Sequence, residues 1–249
     1  MKKPEDQLQE LVNRLREACG ENLVSVVLYG SAAREDFHEQ FSDVNLLAVF
    51  QNLGSESLSH IVAVVRWWTH EQHFSPPLMM TVEELRESAD VFAIELLDIQ
   101  HSHRTVFGED IVAKVEIPMN LHRVEVEHEL RTTLLRLRQH LLLKADDPGE
   151  LQLVLAKSVS GVLTLFRHAL IALGDNPPHS KPELLEHAGR VFGFDIAPLQ
   201  SILLLRTDPQ HTLDAGGTYG AYMNAIATVA HELDVRAPKR HWRKVSHNV

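Results

Sequence analysis

The sequence predicts an α/β domain followed by an all-helical domain, and three observations carry that prediction. Two apolar runs rich in β-branched residues, Leu23 to Tyr29 and Val44 to Phe50, flank a polar interval and read as buried strands. Ahead of them Leu8, Leu11, Val12 and Leu15 recur at helical spacing, with Gly20 as a C-terminal stop. Beyond Pro118 the strand signal ends and long helical patterns take over, so the division falls at Ile117-Pro118, giving domains 1–117 and 118–249.

The elements follow in order. Leu58 to His70 reads as a helix with Ile61, Val62, Val65 and Trp68 on one side, and residues 76–81, PPLMMT, read as a short third strand. Thr81 and Glu84 form a capping-box pattern that opens another helix. Val91 to Ile99 fits either strand or helix, and Gly108-Glu109-Asp110 reads as a turn. Leu121 to Lys144 is one long helix, acidic early through Glu125, Glu127 and Glu129 and basic late, as the helix dipole favours. A second apolar helix spans Leu151 to Leu173. Ser180 and Glu183 mark a capping box for a third, and two more helices fall near 196–206 and 217–235.

Composition bounds the function. The chain has 249 residues, 44% of them hydrophobic and 23% charged, an ordinary balance for a folded chain with a substantial core. The polar N-terminal residues resemble no secretory leader, and no apolar run approaches the roughly 18 residues that cross a bilayer, so the expectation is a cytoplasmic protein without a membrane partner. A single cysteine, Cys19, excludes an internal disulfide and a Cys-rich zinc site. The net charge of -10 opposes a general nucleic-acid surface. The basic tail, Lys239, Arg240, Arg243 and Lys244, is the local exception, either a solvated tail or a contact for RNA, nucleotide or an acidic partner. Of the 16 histidines only His101 and His103 cluster, as a surface pair or two metal ligands.

The chemistry concentrates between residues 26 and 50. A glycine directly after a buried strand lets the backbone approach a phosphate, and Ser31 adds a hydroxyl donor beside exposed amides. Asp43 and Asn45 lie two apart at a strand start, about 6 to 7 Å along one face, a spacing from which two side chains can grip a divalent ion. Arg34 could meet a phosphate or pair with Glu35 or Asp36.

Leu28-Tyr29-Gly30-Ser31-Ala32-Ala33-Arg34, then Ser42-Asp43-Val44-Asn45-Leu46-Leu47, resembles the signature of the polymerase-β-like nucleotidyltransferase superfamily, including minimal nucleotidyltransferases and aminoglycoside adenylyltransferases. The resemblance implies a small mixed sheet with helices in the first domain and a helical bundle in the second. It implies that Gly30, Ser31, Arg34 and Ser42 hold the phosphates of ATP or another nucleoside triphosphate. It further implies a catalytic and magnesium-binding role for Asp43, with Asn45 as a weak ligand where the family has a second carboxylate. The third family acid is missing from Pro77-Leu78-Met79-Met80, which leaves Glu95, Asp98 or a glutamate among Glu125, Glu127 and Glu129 as substitutes. The expectation is a nucleotide-binding member whose AMP transfer is weak or lost. The alternatives are an active enzyme acting on a small-molecule or protein acceptor, and an antitoxin-like or regulatory interaction module.

Overall fold

The computed structural model describes residues 4–33, 44–208 and 211–236. The chain forms two compact units, Met1–Asn120 and Leu121–Val249. The first is built on a four-stranded mixed sheet: β1 Leu23–Tyr29, β2 Asn45–Phe50, β3 Leu78–Thr81 and β4 His103–Gly108, in the order β3-β2-β1-β4. β1 is antiparallel to both β2 and β4, while β2 and β3 run parallel, joined through helix α2, Ser55–Arg66.

Helices cover both faces, which is why β1 and β2 read as continuous apolar runs rather than alternating ones. Period-two geometry sends Val26, Leu28, Leu46, Ala48 and Phe50 to one face. There they meet Leu8, Leu11, Val12 and Leu15 of α1, Pro4–Cys19, and Ile61, Val64 and Trp68. Val27, Leu47 and Val49 point the other way, onto Leu85 of α3, Val82–Glu87, and onto Leu96 and Ile99 of α4, Ala93–His101. Each fully buried Leu or Val of this double core contributes about 1.5–3 kcal/mol relative to exposure. Shifting β2 by one residue would exchange its two apolar sets, so the register with β1 is strongly specified.

Two local expectations change and a third is met. Val62 is 43% exposed and Val64 takes its place in the core, because residue 62 lies 100° around the helix from Ile61 while 64 and 68 stay within 60° of it. The ambiguous stretch 91–99 resolves as helix α4 from Ala93 onward, and β4, absent from the sequence reading, follows it at once. At the start of α3 both halves of the predicted box form: Thr81 Oγ1 accepts from the Glu84 N–H, and the Thr81 N–H donates to Glu84 Oε2.

The second unit is all helical: α5 His122–Lys144, α6 Pro148–Ala172, α7 Lys181–Phe192, α8 Ala197–Thr207 and α9 Ala215–Arg236. Contrary to the expectation that no apolar run approaches spanning length, α6 is long and apolar enough to cross a membrane. In this unit it packs against α5, α7, α8 and α9, and Leu155, Val159, Phe166 and Leu170 are fully buried there, so its hydropathy is that of a core helix. At α7 only half of the expected capping box is present: Ser180 Oγ accepts from the Glu183 N–H. His122 and His168 meet in the interior, Nε2 to Nδ1 at 2.9 Å, and burial pushes the His122 imidazole down to about 4.

Candidate functional site

β1 ends at Tyr29, which pairs with Asn45 on one side and His103 on the other, so three strands deliver their termini to one sheet edge. The chain then turns through a short 3-10 segment, Gly30–Ala33. Gly30 has φ +76°, a left-handed conformation that costs other L-residues roughly 1–2 kcal/mol. The turn is held from outside. The Gly30 N–H donates to the Ser102 carbonyl at 2.9 Å, and Ser102 Oγ donates back to the Gly30 carbonyl at 3.2 Å.

This bonding refines the role expected of Gly30. Its own amide is committed to Ser102, so any part it played at a phosphate would be conformational: its positive φ redirects the backbone into the short helical turn. Leading amides of such a turn have no acceptor within it and are the donors that anions find. The Ser31 backbone belongs to that turn. The Ser31 side chain, and Arg34, Ser42 and Asp43 in full, lie outside the described residues, as does the basic tail from Lys239 to Lys244.

Asn45 is half-buried opposite the turn. Its side-chain nitrogen lies 3.4 Å from the point a Cβ on Gly30 would occupy, which places the carboxamide against that glycine. Glu95, on α4, is exposed, and its charge adds to burial in pushing the Tyr29 phenol up. The structure therefore brings Gly30 and Asn45 together beside Tyr29 at one end of the sheet. Asp98 is half-buried on α4, where it engages other groups.

The donors a magnesium ion needs are not assembled among the described residues. Asn45 offers one neutral oxygen, β3 carries no carboxylate, and no three His, Cys, Asp or Glu side chains gather to hold a metal. The His101-Ser102-His103 stretch does not supply them. His103 is engaged: Nδ1 donates to the Gln100 carbonyl at 3.1 Å and Nε2 faces Asp110 at 3.0 Å. In the helical unit Glu127 is held in i,i+4 ion pairs with both Arg123 and Arg131, and Glu129 lies 3.2 Å from the neighbouring His128.

Ser102 and Tyr29 are the residues the sequence reading passed over. Tyr29 was visible inside the motif and carried a signal, a tyrosine at the end of a buried strand. Ser102 had none, since its partner lies 72 positions away.

No protein-family model matches this sequence, and no curated protein does. Among solved structures it is similar to spectinomycin adenyltransferase AAD(9) from Enterococcus faecialis, determined with ATP and spectinomycin. The TM-score is 0.55 at 15% identity, over 88% of this chain and 99% of that one. At that identity the likeness is one of fold, and a four-stranded mixed sheet with helices followed by a largely helical region is the nucleotidyltransferase fold of that enzyme.

Proposed function

We propose that the protein binds a nucleoside triphosphate, ATP in the first instance, with its phosphates at the Gly30–Ala33 turn, and that AMP transfer from it is weak or lost. The observation that carries this reading is the pairing of a left-handed Gly30 turn with Asn45 against it, where a carboxylate would serve catalysis. A carboxamide can donate a hydrogen bond to a phosphate oxygen, but it adds no negative charge with which to hold a cation. The acid-free β3 points the same way. Asp43 remains the one carboxylate of the motif, and a single carboxylate is poor equipment for a two-ion mechanism.

The test is calorimetric titration with ATP beside an assay with labelled ATP, magnesium and candidate acceptors, for the parent protein, Asn45→Asp and Asp43→Ala. Micromolar to millimolar ATP binding with negligible label transfer is expected. Robust turnover by the parent, abolished in Asp43→Ala, would show an active transferase instead.

That second reading is favoured by the fold neighbour, an adenyltransferase solved with ATP and spectinomycin. In it a small-molecule hydroxyl attacks the α-phosphorus, the bond to the bridging oxygen of pyrophosphate breaks, and the hydroxyl proton passes to a base. Glu95, exposed on α4 and contributing to the raised pKa of Tyr29 beside the turn, would be that base. Loss of transfer in Glu95→Gln with ATP affinity retained would support it.

A further inference from the structure

We infer that Ser102 is the positioning residue for the phosphate-binding turn, setting how strongly the site distinguishes a triphosphate from an uncharged nucleoside. The inference rests on the nucleotide reading above and adds to it a residue outside the sequence motif.

Ser102 stands between α4 and β4, and each of its polar groups is used there. Its N–H caps the end of α4, donating to the carbonyls of Asp98 and Ile99 at 3.2 and 3.1 Å. Its carbonyl takes the Gly30 N–H and its hydroxyl donates to the Gly30 carbonyl. The residue is 8% exposed, so water competes little for either bond. Two bonds on opposite sides of one glycine fix both peptide planes flanking it. The plane after Gly30 carries the Ser31 N–H, the first amide that could meet a phosphate, and its orientation is set by the same carbonyl that Ser102 Oγ holds. Ser102 thus ties the direction of that amide to the end of α4, the helix that also carries Glu95. Removing the hydroxyl leaves the backbone bond in place, so the turn persists while one of its planes is released.

A role in holding phosphates predicts an effect that scales with phosphate; a role confined to packing does not. ATP, AMP and adenosine are titrated calorimetrically into the parent, Ser102→Ala, Ser102→Thr and Ser102→Cys, well below each protein's Tm. Ser102→Ala is expected to weaken ATP about fivefold, the equivalent of one hydrogen bond, and to leave adenosine unchanged. Ser102→Thr, which keeps the hydroxyl, should restore ATP affinity. If Ser102→Ala does not fold, Ser102→Cys, similar in size and a weaker donor, should show the same ATP-selective loss. A folded Ala or Cys variant with the parent's preference for ATP over adenosine overturns the role of Ser102, and so does an equal loss for both ligands. Failure of the parent to bind ATP at all is a different result: it overturns the nucleotide reading, and this inference with it.

Discussion

Gly30 and Gly108 share nearly the same backbone angle, φ +76° and +77°, and sit at opposite ends of β1, yet they are glycines for different reasons. A Cβ on Gly108 would lie 2.0 Å from the Val24 carbonyl oxygen, so two backbones meet where no side chain fits. A Cβ on Gly30 would find its nearest neighbour, the Asn45 nitrogen, at an ordinary 3.4 Å. One end of the strand is closed by packing, and the other is bent and left roomy. On the proposed nucleotide reading, stability is assigned to the first end and ligand chemistry to the second, a separation that loops and strand ends of a rigid sheet make possible.

The comparison is tested most severely by Gly108→Ala. The left-handed conformation costs about 1–2 kcal/mol for alanine, and forcing backbones apart adds about 1–3. A loss of roughly 3 kcal/mol or more in urea unfolding is expected. A loss under about 1 kcal/mol would show that β1 and β4 can separate freely, and the contrast between the ends would disappear. Next comes Ser25→Ala at the same end. Ser25 is fully buried, and its hydroxyl lies within bonding distance of the Glu109 carbonyl at 2.7 Å and the Phe107 carbonyl at 3.1 Å. The hydroxyl has one proton to give, so its removal leaves one buried carbonyl without its donor and should cost about 1–3 kcal/mol, again in unfolding experiments, with ATP affinity unaltered.

The two ends also differ in how much of them a sequence discloses. Leu23 to Tyr29 and Val44 to Phe50 announce their strands because burial on both faces demands an unbroken apolar run. β4 does not, because it lies at the sheet edge, with His103, Arg104 and Thr105 at its start and no fully buried residue, so it reads as polar connection. α4 was ambiguous for a related reason: nine residues with Ala93, Ile94, Leu96 and Ile99 buried satisfy either period over so short a span. The Gly30-Ser31 motif was legible as local order, while the bonds that hold it come from Ser102, and nothing in a linear spacing links the two. The close approach at Gly108 was equally silent. A glycine required by a distant backbone looks the same as one required by a turn.

Gly30→Ala carries the comparison to the open end. With space available, only the conformational cost of about 1–2 kcal/mol applies, smaller than at Gly108. The larger consequence should appear in binding, because relaxation of φ toward negative values reorients the amides that follow. ATP affinity is expected to fall about tenfold, measured on protein shown to be folded by its circular dichroism. An unfolding loss equal to that of Gly108→Ala, with ATP binding intact, would reverse the assignment of stability and function to the two ends.

Asn45→Asp is the subtlest change and bears on what the open end was built to hold. Stability should shift by less than about 1 kcal/mol, since the residue is half-buried and the shape is conserved. Its effect is on the cation. In the parent a neutral carboxamide beside Gly30 adds no repulsion toward phosphate, so chelating magnesium with EDTA should alter ATP affinity less than about threefold. In Asn45→Asp the motif carries a second carboxylate two positions after Asp43, and without a cation its charge would oppose phosphate binding. ATP affinity in that variant should therefore fall about tenfold or more in EDTA and recover with magnesium. The same titration run on the parent is the decisive arm: complete loss of its ATP binding on chelation would mean that Asp43 and Asn45 already hold a metal, and Asn45 would then be a ligand in its own right.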